Sequence, residues 1–323
     1  MKSTKPKIVV LDGHTANPGD LDWKPIERLG TVEIYPRSNP DEVAERAQGA
    51  QIVLTNKAQL PAETIARLPE LQLICVTATG YNNVDVAAAA AQGITVVNLP
   101  GYSTDSVTQH TFAMLFALTN QTVALYNSVK TGGWEQSKDF SYTIGSIPEM
   151  SGKTMGLFGY GAIAKAVAKV ADAFGMNVIT TRRHPDKHRD KIARAVSFEE
   201  LLDESDVLSL HAPLTENTRD IFNYANLKKM RASAILLNTG RGELIVEEDL
   251  ARALDEGCLQ GAAVDVLRKE PPSEGNVLIN HPRCLVTPHV AWASDHARRR
   301  LIKWTADNIR AWQQGMPQNV VSA

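Results

Sequence analysis

The sequence predicts an α/β protein made of two doubly wound parallel sheets, with one domain inserted into the other. Short apolar runs alternate with helical patterns nearly throughout the chain, and this alternation is typical of parallel strands joined by crossover helices. The runs form two successive series, and a chain of 323 residues is long enough for two domains. Two long helical patterns begin near Thr104 and Ser294, at the junctions of the series.

The first series of strands is predicted from apolar runs in the first third of the chain. Helical patterns lie between them at 41–48 and 85–92, and the second pattern stops at Gly93, a natural C-cap. The predicted strands are 8–11, 32–35, 51–55, 73–77 and 94–98.

The second series lies between the two long helical patterns, which run from 104 to about 130 and from 294 to about 312. Because of this placement, we expect the last helix to return to the first domain. The sequence therefore predicts a discontinuous domain, 1–103 plus 291–323, and an inserted domain, 104–290. The predicted strands of the inserted domain are 154–158, 177–181, 207–211, 234–238, 261–266 and 285–287.

Composition and charge argue against several classes of function. The hydrophobic fraction is 43%, the charged fraction is 22% and the formal net charge is -2, so nothing indicates a nucleic-acid partner. No stretch could span a bilayer, and the N-terminus enters its first strand without a signal segment. We therefore expect a cytoplasmic protein with no membrane partner. The three cysteines lack metal-ligand spacing, so no metal is expected.

A glycine-rich turn follows the first strand of the second series. The segment Gly159-Tyr-Gly-Ala-Ile-Ala164 has the form G-x-G-x-x-A, and an apolar helical pattern begins at Ile163. Gly159 permits a tight turn, Gly161 lets the backbone approach a pyrophosphate, and Ala164 allows close helix–strand packing. The helix N-terminus would face the phosphate charge. The alternative is a tight turn in some other α/β protein, but the strand–turn–helix context favours dinucleotide binding.

Two arginines lie at the position that usually distinguishes NAD from NADP. After the next strand an NAD enzyme usually carries an acidic residue for the ribose 2′-hydroxyl, and this chain has Arg182 and Arg183 instead. Arginine attracts a 2′-phosphate that a carboxylate would repel. The sequence therefore favours NADP(H) as the cofactor and leaves NAD(H) as the alternative. The other interpretation is a solvated basic loop, because His184, Lys187 and Arg189 continue the charge.

Three candidate catalytic residues follow three successive strands of the second series. They are Arg241, Glu270 and His289, and the carboxyl ends of parallel strands line the ligand crevice of an open sheet. The planar guanidinium suits a substrate carboxylate. Histidine titrates near neutral pH, and a neighbouring carboxylate would raise its pKa and fix its tautomer. Each residue alone is more often a surface or loop residue; together, behind a phosphate fingerprint, they predict reduction of a ketone by a nicotinamide.

Six motifs are spread over nearly the whole chain. They are Ala78-Thr-Gly-Tyr-Asn-Asn-Val-Asp85, Gly159-Tyr-Gly-Ala-Ile-Ala164, His211-Ala-Pro-Leu-Thr-Glu-Asn-Thr218, Asn238-Thr-Gly-Arg-Gly-Glu243, Ala263-Val-Asp-Val-Leu-Arg-Lys-Glu-Pro271 and Thr287-Pro-His-Val-Ala291. With these motifs, in this order, the chain resembles the D-isomer-specific 2-hydroxyacid dehydrogenase family.

The resemblance implies a Rossmann-like dinucleotide-binding domain inserted into a flavodoxin-like substrate domain. It implies that Arg241 binds the 2-oxo acid, that His289 is the acid/base and that Glu270 pairs with His289. It also implies that the backbone of Thr79 and Gly80 receives the substrate carboxylate. His211 would lie on the adenine side, and Asp265 would meet the nicotinamide end. The implied cofactor contacts are Gly159, Tyr160, Gly161, Ala162, Ile163, Arg182, Arg183, His211, Ala212, Pro213, Thr218, Thr239, Gly240, Arg241, Asp265, His289 and Ala291.

Within the family, segments 98–107 and 288–294 look most like the glycerate dehydrogenase/hydroxypyruvate reductase branch. This implies hydroxypyruvate/D-glycerate and glyoxylate/glycolate as substrates, and a homodimer formed by the helix after Thr104 and segment 133–148. One alternative is a relative acting on a larger or phosphorylated acid; another is a dinucleotide-sensing scaffold with weak catalysis. The intact catalytic set favours an enzyme. Thr108-Gln109-His110 stands where many members have Ala-Glu-His, a change to which the sequence assigns no effect.

Overall fold

The computed structural model describes residues 5–181 and 191–322. The chain divides into two compact units, of which the first is Met1–Ser103 together with Ala293–Ala323 and the second is Thr104–Trp292. The inserted unit thus ends at Trp292, whereas the sequence placed its end at residue 290. The difference arises because the loop after the last strand stays with the second unit.

Strands and helices alternate along the chain, and among the described residues no helix is both long and apolar enough to cross a membrane. A short 3-10 helix lies at Gly242–Leu244. In chain order the other elements are β1 (Lys7–Val10), α1 (Gly13–Ala16), α2 (Lys24–Glu27), β2 (Thr31–Ile34), α3 (Val43–Arg46), β3 (Ile52–Thr55), α4 (Ala62–Ile65), β4 (Leu73–Val76), α5 (Val86–Ala91), β5 (Thr95–Val97), α6 (Thr104–Thr119), α7 (Thr122–Lys130), β6 (Thr154–Phe158), α8 (Ala162–Ala173), β7 (Asn177–Thr181), β8 (Ala193–Ala195), α9 (Phe198–Glu204), β9 (Val207–Leu210), α10 (Tyr224–Leu227), β10 (Ile235–Asn238), α11 (Glu247–Asp255), β11 (Gly261–Val264), β12 (Cys284–Val286) and α12 (Asp295–Gln313).

The first unit is built on a parallel sheet of order β2-β1-β3-β4-β5, which is the flavodoxin-type order. Strands β3 and β4 are buried at every residue, because helices cover both faces of such a sheet. The C-terminal segment packs in this unit: Asn308 Nδ2 donates to the carbonyl of Asn98 at 3.0 Å, and Val320 forms an antiparallel bridge with Val97.

The second unit is built on a parallel sheet of order β12-β11-β10-β9-β6-β7-β8. The chain moves outward from β6 in one direction through β7 and β8, and from β9 in the other, so the topological switch point lies between β6 and β9. Ligands of doubly wound sheets bind outside the carboxyl ends of the strands at this point. The two residues that follow these strands are Gly159 and His211. The predicted α/β fold is confirmed.

Two elements differ from the prediction. The helix predicted from 104 to about 130 is two helices, α6 and α7, because Gln121 has φ +50 and a left-handed residue cannot continue an α-helix. Strand β8 was not predicted. It has three residues, Ala193–Ala195, and this short edge strand contains no apolar run for periodicity to detect.

Candidate active site

The glycine-rich turn lies between β6 and α8. Gly159 has φ +88, and a Cβ added there would lie 2.8 Å from the backbone nitrogen of Ala212. Gly161 differs, because a Cβ added to it would meet no protein atom within 4 Å. Ala164 is fully buried against the sheet. The turn therefore needs a glycine at 159 for its own geometry, while Gly161 leaves open space above the turn.

The N-terminus of α8 opens onto this space. Gly161 is the N-cap and has no side chain to accept from the first helical N–H groups, those of Ala162 and Ile163 among them. Tyr160 lies beside them, with Lys165 Nζ 5.9 Å from the centroid of its ring. A helix N-terminus without a side-chain cap attracts anions, so the residues present fit the pyrophosphate of a dinucleotide.

The other side of the switch point is formed by the loop after β9. His211 N donates to the carbonyl of Phe158 at 2.8 Å, and its Nε2 lies 2.9 Å from Ser209 Oγ. Desolvation lowers the pKa of His211 to about 4, so this histidine is neutral at neutral pH. The Thr218 hydroxyl donates to the carbonyl of Pro213 at 2.8 Å and thereby closes the turn that continues from Ala212.

Arg241 stands after β10 in a loop held by Asn238. The Asn238 amide donates to the Arg241 carbonyl at 2.8 Å and accepts from Gly240 N at 2.9 Å. The guanidinium donates to the Gly240 carbonyl at 2.8 Å, and within residues 5–181 and 191–322 no carboxylate forms an ion pair with it. Thr239 Oγ1 lies 3.5 Å from Thr111 Oγ1. The remaining guanidinium donors are thus available for a ligand anion.

Gly242 brings this loop against the one after β11. A Cβ on Gly242 would lie 2.1 Å from the carbonyl carbon of Leu267, so only glycine allows the two backbones to approach this closely. Leu267 N donates in turn to Glu270 Oε1 at 2.9 Å. The Arg241 loop and the Glu270 loop are therefore packed together.

Glu270 and His289 form a hydrogen-bonded pair. Glu270 Oε2 lies 2.6 Å from His289 Nδ1, and the side chains are 30% and 26% exposed. An ionised carboxylate only accepts hydrogen bonds, so Nδ1 carries a hydrogen and the carboxylate fixes the ring orientation. The Nε2 atom is left as the nitrogen that can exchange a proton with a ligand. Because β10, β11 and β12 are neighbours in the sheet, the three sequence-predicted residues follow adjacent strands.

Asp265 holds the turn on which His289 stands. Its carboxylate is 1% exposed and accepts from Thr287 Oγ1 at 2.5 Å, from Val290 N at 2.9 Å and from Ala291 N at 2.8 Å. Burial acts to raise the pKa of Asp265, but hydrogen bonds from His110, Thr287 and the two backbone groups outweigh burial and lower it. The structure gives Asp265 a positioning role inside the protein, and its contact with the nicotinamide end stays a prediction.

His110 is the site residue that the sequence did not reveal. Its Nε2 lies 3.0 Å from Thr287 Oγ1 and 3.4 Å from Asp265 Oδ1. His110 and Thr287 are 177 positions apart in the chain. The available signal was spacing: Ser106, His110 and Met114 lie four residues apart and so share one face of α6.

The two residues predicted to receive the substrate carboxylate belong to the first unit. Thr79 and Gly80 follow β4 in the first unit, where Thr79 Oγ1 donates to the Leu99 carbonyl at 3.0 Å and Asn98 Nδ2 donates to the Thr79 carbonyl at 2.7 Å. The first unit therefore holds the Thr79 backbone firmly. Arg182 and Arg183 lie outside the described residues.

The chain is similar to proteins of one known family. Residues 112–291 match the sequence profile of the D-isomer specific 2-hydroxyacid dehydrogenase, NAD binding domain. A glycerate dehydrogenase of Methylorubrum extorquens is 46% identical over 286 residues, which cover 88% of this chain and 89% of that relative. A hydroxypyruvate reductase of Blautia hydrogenotrophica is 40% identical over 321 residues, 98% of this chain and 99% of that relative.

Among solved structures, the NADPH-dependent glyoxylate/hydroxypyruvate reductase of Sinorhizobium meliloti in complex with NADP and malonate superposes with a TM-score of 0.84. The two chains are 26% identical, and the match covers 98% of this chain and 97% of the other. More than half of the chain matches the family profile, and relatives above 30% identity extend over nearly all of it. The chain therefore belongs to the D-isomer-specific 2-hydroxyacid dehydrogenase family.

Proposed function

We propose that this protein reduces small 2-oxo acids, hydroxypyruvate and glyoxylate first, to the corresponding 2-hydroxy acids, D-glycerate and glycolate. The observation that carries the proposal is the 2.6 Å pair of Glu270 and His289. With Arg241, these residues follow three neighbouring strands at the carboxyl edge of the sheet. The names of the relatives, glycerate dehydrogenase and hydroxypyruvate reductase, support this choice of substrates.

Each residue has a chemical role in this reaction. Arg241 binds the substrate carboxylate and polarises the carbonyl, since its guanidinium donors are fixed in a planar fork. His289 Nε2–H protonates the carbonyl oxygen as negative charge develops there. Glu270 stabilises the imidazolium and prevents the ring from rotating. In the reverse direction the neutral imidazole takes the proton back from the alcohol.

A nicotinamide dinucleotide, when bound, supplies the hydride that reaches the carbonyl carbon. Gly159, Gly161 and the N-terminus of α8 would hold its pyrophosphate. The loop after β9 would line the adenine side, and Thr239, Gly240, Asp265 and Ala291 would line the nicotinamide side. We propose NADP(H) as the preferred form, on the charge of Arg182 and Arg183; a neighbour solved with NADP supports it.

We also propose that the protein acts as a homodimer. Phe112 and Leu115 of α6 pack inside their own unit. We therefore leave α6 out of the predicted interface and propose the segment from α7 to residue 148 as the dimer contact. In this segment Tyr126 is 61% exposed and Phe140 is 91% exposed. A single-chain surface rarely leaves so many large apolar side chains in water without a partner. The other exposed apolar residues there are Val123, Val129, Trp134, Ile144 and Ile147. The cytoplasmic location stays a prediction.

The test of the proposed function is a turnover screen of the purified protein. NADPH and NADH are each offered with hydroxypyruvate, glyoxylate and pyruvate, and the configuration of the product is determined. We expect fastest turnover of hydroxypyruvate or glyoxylate with NADPH, and a D product from hydroxypyruvate. An Arg241→Ala variant is the control for turnover by contaminants. Tight binding of NADPH without turnover of any of these acids would favour the dinucleotide-sensing scaffold.

A further inference from the structure

Asp265 accepts most of the backbone hydrogen bonds that hold the turn carrying His289. Three consecutive backbone N–H groups donate to it: His289 N to its carbonyl at 2.8 Å, Val290 N to Oδ1 at 2.9 Å and Ala291 N to Oδ2 at 2.8 Å. His289 itself has φ +53, a left-handed conformation that costs a residue with a Cβ some energy. The orientation of Asp265 therefore decides where His289 stands.

The Asp265 carboxylate is oriented in turn by a short chain of hydrogen bonds. Thr287 Oγ1 lies 2.5 Å from Asp265 Oδ1 and 3.0 Å from His110 Nε2. The carboxylate can only accept, so Thr287 gives its one hydroxyl hydrogen to Asp265 and accepts from His110 Nε2–H. The Met114 sulfur, 3.6 Å from Thr287 Oγ1, is a weak acceptor and does not compete.

The residues of helix α6 that contact the His289 loop lie along one face of the helix. Ser106 Oγ donates to the carbonyl of Ala291 at 2.7 Å, and His110 and Met114 contact Thr287 from the next two turns. Residues four apart lie above one another on a helix. Helix α6 therefore contacts both ends of segment 287–291, which contains His289.

We propose that His110 and Thr287 are positioning residues for His289, acting through Asp265. The inference rests on the proposed function, because it assigns the purpose of the network to proton transfer at His289. Loss of the His110 donor removes its hydrogen bond to Thr287 and its 3.4 Å contact with Asp265 Oδ1. The Asp265 carboxylate is then held less tightly, and the His289 turn samples other conformations. A small displacement of a reacting group lowers the rate of the chemical step more than substrate binding.

The experiment compares two pairs of variants in hydroxypyruvate reduction. His110→Leu removes the donor, whereas His110→Gln places an amide N–H at the position of Nε2; Thr287→Val removes the hydroxyl, whereas Thr287→Ser keeps it. We expect His110→Leu and Thr287→Val to lower kcat by about 10- to 100-fold with KM changed by less than about threefold. His110→Gln and Thr287→Ser should stay within about threefold of the wild type.

The matched control is Thr108→Val. Thr108 lies on the same helix, and among the described residues its hydroxyl donates within α6, to the Thr104 carbonyl at 2.9 Å, so kcat should be unchanged. Wild-type kcat in His110→Leu, or an equal loss in His110→Leu and His110→Gln, would overturn the proposal, since the second result assigns the effect to packing. If His110→Leu does not fold, the two Thr287 variants decide by the same criterion.

A second readout separates this inference from the proposed function. Amide hydrogen exchange at Val290 and Ala291 does not require turnover, and we expect it to accelerate at least tenfold in Thr287→Val and to recover in Thr287→Ser. If the wild type reduces none of the acids but the two Thr287 variants show this exchange pattern, the proposed function is refuted and the positioning network is supported. Unchanged exchange in Thr287→Val refutes the network, whatever the activity.

Discussion

At the scale of single residues, the candidate site combines a histidine held by a carboxylate with a guanidinium that forms no ion pair among the described residues. Glu270 is fixed by Leu267 N at one oxygen and by His289 at the other. Arg241 is tethered by one hydrogen bond to the Gly240 carbonyl. This difference suits their roles, because proton transfer needs fixed geometry, whereas the guanidinium must keep donors for the incoming carboxylate.

His289→Ala should lower kcat for hydroxypyruvate reduction by roughly 10²- to 10⁴-fold, because the proton donor is lost. Glu270→Gln, which keeps the size but not the charge, should give a smaller loss. Both variants should lose little affinity for NADPH, since neither residue lies at the phosphate turn. Arg241→Ala should raise KM and also lower kcat. Steady-state kinetics with separate NADPH titrations check all three; full activity in His289→Ala would remove it from the mechanism.

The choice of cofactor should depend on Arg182 and Arg183. Replacing both, with Asp at 182, should shift the NADPH/NADH preference toward NADH by a factor of about 10 or more, about 1.4 kcal/mol. The measurement is the ratio of kcat/KM for the two cofactors. Lys187→Ala, in the same basic segment, is the control, and an unchanged ratio in the double variant would contradict the assignment to the 2′-phosphate.

At the scale of elements, the sequence predicts the buried strands. It misses features that depend on the backbone conformation of a single residue. Strands such as β9 and β10 were predicted because every residue in them is buried and apolar runs mark them. The break between α6 and α7 was missed because it depends on the left-handed conformation of Gln121. Arg241, Glu270 and His289 could be predicted because each follows a predicted strand. His110 could not, because its partner Thr287 is distant in the chain and helical periodicity alone does not name it.

Two glycines should respond differently to substitution by alanine: one should lose stability and the other should lose affinity for NADPH. Gly242→Ala places a Cβ against the Leu267 backbone, so we expect a loss of about 1–3 kcal/mol in stability. In Gly161→Ala the new Cβ meets no protein atom within 4 Å. The melting temperature should therefore fall much less than in Gly242→Ala, by no more than the cost of alanine at an N-cap, while NADPH binding weakens. Thermal unfolding and a fluorescence titration of NADPH check the pair. Equal NADPH affinity in Gly161→Ala would argue against a pyrophosphate at this turn.

At the scale of the whole molecule, the two units differ in the surface that they expose. Each unit has its own core beneath a parallel sheet. The second unit also carries the segment from α7 to residue 148, in which no residue of α7 is buried and aromatic side chains face solvent. Such a segment has little core of its own, and this exposure is the basis of the proposed dimer interface.

Phe140→Glu combined with Tyr126→Glu should convert the proposed dimer to a monomer at micromolar concentration, because two charges would be buried at an apolar interface. Met316→Glu is the matched control: Met316 is 65% exposed but lies in the first unit, so the mass should not change. Sedimentation equilibrium gives the mass of each protein. A monomeric wild type would contradict the dimer.

The hydrogen bonds that Asp265 accepts also make the turn carrying His289 sensitive to acid. Because the pKa of Asp265 is lowered in the folded protein, its ionised form stabilises the fold above the unfolded-state pKa, and this stabilisation is lost as pH falls through the folded pKa. Protonation would turn one carboxylate oxygen into a hydroxyl and so weaken the hydrogen bonds from Val290 and Ala291 that hold the His289 turn. We therefore expect the melting temperature of the wild type to fall more steeply than that of Asp265→Asn as the pH falls below about 5. Parallel curves would show that acid acts elsewhere, whereas converging curves would show that this carboxylate contributes to unfolding in acid.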